Sequence, residues 1–212
     1  GRMVGALIWA MTHPDSGPAW IRSAAAWELT WTDGVDIAPL FLYGLERERD
    51  PEVLFDYALL LEERARPEDI PALDSLVRLH AGDPNMAGWL LRGLGAIGTE
   101  ESERLLRQYA GSSDPRIRAA GEYALIARHP PATGALVCRL KPGSEWERQG
   151  FRMGDLLLSC DGREFTSEEI ADKALEGADG TPKRFRVLRG GEILEFEAPL
   201  PDDSESGELE FV

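Results

Sequence analysis

The dipeptide Asp-Pro recurs at residues 50–51, 83–84 and 114–115, and Gly17-Pro18 puts a proline 33 residues ahead of Pro51. Each is a helix-start signal. An aspartate side chain can accept hydrogen bonds from the free N–H groups of a first turn, and proline fits the first helical position because its missing N–H is not needed there. The segments that follow, "AWIRSAAAWEL", "EVLFDYALLL", "NMAGWLLRGLGAIG" and "RIRAAGEYALIA", carry apolar residues at three- and four-residue steps. After each of the first three comes a break, "TDG", "RPED" or "GTEE", and then a second helix, "VDIAPLFLYGLERER", "IPALDSLVRLHAG" or "SERLLRQYAG". The unit is therefore helix, turn, helix in about 32 residues. One such pair cannot bury its apolar face alone, so the pattern predicts a stacked array.

The words "PAWIRSAAAWEL" and "DPRIRAAGEYAL" resemble the short HEAT-type repeat of the bilin-lyase class, over residues 18 to about 129. The resemblance implies an α/α superhelix that presents binding surfaces. It does not carry the lyase activity, because fold does not fix function. The tetratricopeptide repeat has a similar period, but the Ile-Arg-x-Ala words favour HEAT. "VGALIWAM" (4–11) reads as a helix of a preceding repeat, and Gly1-Arg2-Met3 as the start of an excised fragment.

After His129-Pro130-Pro131 the period changes from 3.6 to 2. Strands are expected at 134–140, 155–160, 183–189 and 192–200, with hairpin turns at Asp161-Gly162 and Gly190-Gly191. One longer helix is expected at 167–177, opened by a capping box of Thr166 and Glu169. Within this region "PGSEWERQGFRMGD" (142–155), "LLLSCDGREFTS" and "VLRGGEILEFE" resemble a PDZ domain of the bacterial type. The match lies in the Pro142-Gly143 turn, the helix-ending Gly150 and the Gly154-Asp155 entry to the next strand. Trp146 departs from the family, which prefers a small residue there. It is expected either as a core residue against the sheet or as an anchor onto the helical array across the short link "HPPATG".

The PDZ resemblance implies that a partner's C-terminal peptide adds as a strand beside the long helix. Ile170, Ala171, Ala174 and Leu175 would be the apolar side of that helix. The strand and carboxylate loop that the family places ahead of "GALV" have no counterpart in "PPATG". The C-terminal stretch 202–212 offers a filler. It has an acidic start and ends Glu210-Phe211-Val212, the form of a PDZ ligand, so it is expected as a self-ligand tail in its own or a neighbouring domain, or else as a disordered acidic tail.

The chain has 38 acidic and 23 basic residues, a net charge of −15, and no basic run, which argues against nucleic acid and anionic lipid as partners. No apolar run is long enough to span a membrane. Cys138 and Cys160 read as buried free thiols, which lean towards the cytoplasm. His13, His80 and His129 fall at helix ends without metal-ligand spacing, and no catalytic or cofactor motif is present. The acidic residues at 46–52, interleaved with Arg47 and Arg49, read as a solvated helix face.

The resulting expectation is an α+β multidomain chain. It has a HEAT-like domain at 1–130, a small PDZ-like antiparallel β-barrel or sandwich with one or two helices at 131–201, and a tail at 202–212. The expected function is non-catalytic protein–protein interaction, as scaffold or adaptor. It would need no cofactor, and self-association through the tail is a further possibility. The rivals are the regulatory or substrate-recognising portion of a larger enzyme such as a protease, and a structural assembly subunit linked through its tails.

Overall fold

The computed structural model describes residues 2–141, 143–176, 180–199 and 208–212. Gly1, Pro142, the expected helix end at Gly177, Leu200 and the acidic start of the tail lie outside them. The architecture is mixed α+β, with helices followed by an antiparallel sheet. The chain divides into two compact units, Gly1–Gln108 and Tyr109–Val212.

The first unit is built from α1 (Arg2–Thr12), α2 (Ala19–Thr30), α3 (Ala38–Arg47), α4 (Pro51–Glu62), α5 (Ile70–Leu79), α6 (Pro84–Ile97) and most of α7 (Glu100–Ala110). The Asp-Pro starts act as the sequence predicts. Asp50 accepts from the N–H groups of Glu52 and Val53, and Asp83 from those of Asn85 and Met86. The helices pack in two rows, α2 on α4 on α6 and α1 on α3 on α5, and each helix of one row also meets the next helix of the other. Their shared core includes Leu29, Phe41, Tyr57, Leu61, Leu73 and Leu90, all nearly or fully buried.

One expectation fails here. Glu48 is not on a solvated helix face, because α3 ends at Arg47 and the chain turns inward. Glu48 is 2% exposed and holds a bidentate pair with Arg22, Nε to Oε2 at 2.6 Å and Nη2 to Oε1 at 3.0 Å. The backbone N–H groups of Arg49 and Asp50 also donate to it. Arg22 in turn donates to the carbonyl of Gly17 at 2.7 Å, which ties the start of α2 to the α3–α4 turn. Burial pushes the Glu48 carboxyl up, but the hydrogen bonds from Arg22 and the two backbone donors outweigh it and hold Glu48 below the usual carboxylate range.

The second unit holds α8 (Pro115–Arg128), a six-stranded antiparallel sheet and two further helices. The strands are β1 (Ala135–Arg139), β2 (Leu156–Cys160), β3 (Arg163–Glu164), β4 (Pro182–Arg189), β5 (Glu192–Pro199) and β6 (Glu208–Phe211). Their order is β5-β4-β2-β1-β6, with β3 paired to β2. Asp161 and Gly162 both have positive φ, 50° and 77°, the backbone of a two-residue hairpin turn whose twist matches its strands. α9 (Glu145–Arg148) is a single turn between β1 and β2, and α10 (Glu168–Leu175) lies between β3 and β4. Asp114 caps α8 by accepting from the N–H of Arg116. α8 is fitted closely within this unit, since a Cβ on Gly121 would stand 2.4 Å from the nitrogen of Ala110, and one on Gly154 would stand 3.3 Å from the backbone of Tyr123.

The cap of α10 also differs from expectation. Its N-cap is Ser167, in extended conformation, whose hydroxyl accepts from the N–H of Ile170. The helix starts one residue later than a Thr166 cap requires, so Glu169 is not in the capping-box position.

Candidate functional site

Residues 143–155 form a brace in which side chains of the stretch bond its own backbone. Ser144 caps α9 by accepting from the N–H of Glu147, and Glu147 reaches back to accept from the N–H of Gly143 at 2.6 Å. Trp146 is 3% exposed and lies in the sheet core with Phe151 and Phe185, at ring-centroid distances of 4.2 and 6.3 Å. Its indole Nε1 is buried without a hydrogen-bond partner. These neighbours account for the tryptophan as a core residue of the second unit.

The Gly154-Asp155 pair closes the brace. Asp155 is 1% exposed, and its two oxygens accept from Nε and Nη2 of Arg189, both at 2.7 Å. The N–H of Arg152 donates to the same carboxylate at 2.8 Å, and Arg189 also donates to the carbonyl of Gly150 at 2.7 Å. The Asp155 hydrogen bond holds the Arg189 guanidinium above its ordinary pKa, although burial opposes it. Sequence reading missed Arg189. Only the folded register sets its pairing, because Leu156 of β2 opposes Leu188 of β4 and so puts the residues beside them next to each other on neighbouring strands.

The tail forms the far edge of the sheet. β6 pairs antiparallel with β1, with Phe211 opposite Ala135 and Leu209 opposite Val137. Gly134 and Val212 exchange backbone hydrogen bonds, both at 3.0 Å. Leu209 and Phe211 alternate onto the face that bears Ala135 and Val137 and pack on the sheet core, as a two-residue period requires. Glu210 stands between them, half-buried. Among the described residues no strand pairs with the outer edge of β6.

α10 contributes the other apolar groups. Ala171 is a member of the same core, Ala174 and Leu175 pack against it, and Ile170 is half-buried. The sheet core therefore brings together Ala171, Ala174 and Leu175 with Leu209 and Phe211, while Glu210 and Val212 sit in or beside the edge strand.

The remaining chemistry is sparse. The Cys160 thiol, pushed up to about 11 by burial and by Asp161, stays protonated at neutral pH and makes a poor nucleophile. Cys138 is likewise buried. Among the described residues no group of three or more His, Cys, Asp or Glu is placed to hold a metal ion. His80 and His129 are the C-cap residues of α5 and α8, and His13 follows α1 with its ring stacked on Trp9 at 4.9 Å. An open cleft of about 460 Å³ at the α2–α3 turn is lined by Trp31, Asp33, Asp36, Arg64 and Arg66, and within it Arg66 is paired with Asp36. No described helix is long and apolar enough to cross a membrane.

No protein-family model matches this chain, and no curated protein or solved structure matches it either.

Proposed function

We propose that this chain is a non-catalytic interaction protein in which a HEAT-like helical array carries a PDZ-like domain. The PDZ-like domain takes an extended peptide segment between the outer edge of β6 and α10. The observation that carries this reading is the edge position of β6. An edge strand presents unpaired backbone N–H and C=O groups, and an extended peptide satisfies them by adding as the next strand. The apolar side of α10 (Ala171, Ala174 and Leu175) shares a core with Leu209 and Phe211, so side chains of an added strand would meet an apolar wall. The tail then serves as the wall of the groove, a different role from that of a ligand within it. The helical rows and the Ile-Arg-x-Ala words support the array part of the reading. Arg22 and Arg118 stand at the same place in that word, and each donates to a carbonyl just ahead of its own helix, Gly17 and Ser112.

The test is a titration of the full chain with peptides that end in a free hydrophobic residue, followed by backbone NMR. Shifts confined to 208–212 and 170–175, lost in a chain ending at Pro199, support the groove. Tighter binding after that truncation identifies the tail as a self-ligand. Shifts only elsewhere, or none, overturn the groove. A solution mass that rises with concentration and collapses on truncation points to exchange of β6 between copies.

A further inference from the structure

The outward face of α2 and its C-cap residue carry three tryptophans in line. Trp20, Trp27 and Trp31 stand at i, i+7 and i+11, which places them within about 40° of one another around the helix. They are 68%, 39% and 78% exposed, with exposed Ala24 between them. The opposite face of α2, Arg22, Ala25, Ala26 and Leu29, is the one that enters the core. The ridge is therefore not needed to pack the helix. Tryptophan is highly buried on average, and a row of three in solvent is the composition of a contact surface whose partner is elsewhere.

The surroundings of the ridge indicate the chemistry of that partner. α4 runs beside α2, joined to it by the Ser23 hydroxyl donating to Asp56 and by Arg64 donating to the carbonyl of Thr30. At matching helical steps α4 and its C-cap carry exposed Glu52, half-buried Asp56 and exposed Glu63. Glu28 is exposed next to Trp27, and Asp33 is exposed just past Trp31. The aromatic row is thus bordered mainly by carboxylates, with Arg64 and Arg66 at its Trp31 end, on a chain of net charge −15.

We propose that the Trp20–Trp27–Trp31 ridge docks a basic amphipathic helix of a partner protein. Its apolar stripe would cover the indoles, and its Lys or Arg side chains would reach the carboxylates of α4 and Glu28. The ridge spans about 16 Å, the length of three helical turns. Arginine suits such a site twice over, by stacking on indole faces and by pairing with carboxylates. A second copy of this acidic chain, an anionic bilayer or a nucleic acid would meet repulsion at the same surface. The proposal is independent of the β6 groove, which lies in the other unit.

The test is calorimetry of the full chain with a Leu/Arg amphipathic peptide of about 18 residues and its Leu/Glu counterpart. Binding of the Arg peptide but not the Glu peptide is expected. The variants W20S/W31S and E28K/E63K should each weaken it about tenfold or more, with unchanged circular dichroism, since exposed substitutions leave stability nearly constant. Higher salt should weaken binding without erasing the effect of W20S/W31S. Absence of binding, or equal binding by either variant, overturns the proposal. So does a concentration-dependent mass that W20S/W31S abolishes, which would make a second copy the occupant.

Discussion

Replacing Arg189 with methionine tests the brace that closes the second unit. The change keeps an unbranched apolar stem and removes two hydrogen bonds to Asp155 and one to Gly150, all at 2.7 Å. Asp155, 1% exposed in the parent, keeps the N–H of Arg152 as a donor to its side chain. Breaking a buried pair from one side costs about 3–5 kcal/mol, because the surviving charge loses its counter-ion. That is a large share of the stability of a unit of this size, typically about 5–15 kcal/mol. Asp155→Asn should be milder, about 1–3 kcal/mol. It keeps an acceptor for Arg152, and it leaves Arg189, whose side chain is 22% exposed, able to reach water and Gly150. The double variant should cost less than the sum of the two. The assay is urea unfolding read by hydrogen exchange at β2 and β4 amides, since a global probe would mix the two units. Exchange protection in R189M within about 0.5 kcal/mol of the parent, or single effects that simply add, would refute the argument.

Trp146→Ala removes a core aromatic that touches Phe151 and should destabilise the second unit by about 3–5 kcal/mol in the same assay, with no gain from the unpartnered Nε1. Asp83→Ala should lower stability by about 1 kcal/mol in thermal unfolding, because Pro84 cannot replace the lost cap bonds to Asn85 and Met86. Acid should weaken the first unit through Glu48. Its folded pKa lies below the unfolded value, so its contribution is complete above the ordinary Glu range near about 4.3 and is lost as pH falls through the lower folded value. Glu48→Gln should flatten that part of the pH–stability curve, and an unchanged slope would exclude the Arg22–Glu48 pair as its source.

What the sequence determined by itself is local. Asp50, Asp83 and Asp114 each cap the helix that begins at the next residue, so the bonds that define those starts lie within three residues. The Asp161-Gly162 and Gly190-Gly191 turns need only their own two residues in left-handed backbone. Such features are legible because sequence distance and spatial distance coincide. The Ser167 cap shows the margin of error, since Thr166 and Ser167 offer the same hydroxyl and only the chain's approach chooses between them. The tertiary structure decided the rest. Arg22 finds Glu48 across 26 residues, Arg189 finds Asp155 across 34, and β6 closes on β1 from the opposite end of the unit. In the two ion pairs a charged group is drawn into the interior, and in the third case Leu209 and Phe211 pack on the sheet core. A buried carboxylate is tolerable only where folding delivers a guanidinium to it, and the free edge of β1 is satisfied only when folding delivers another strand.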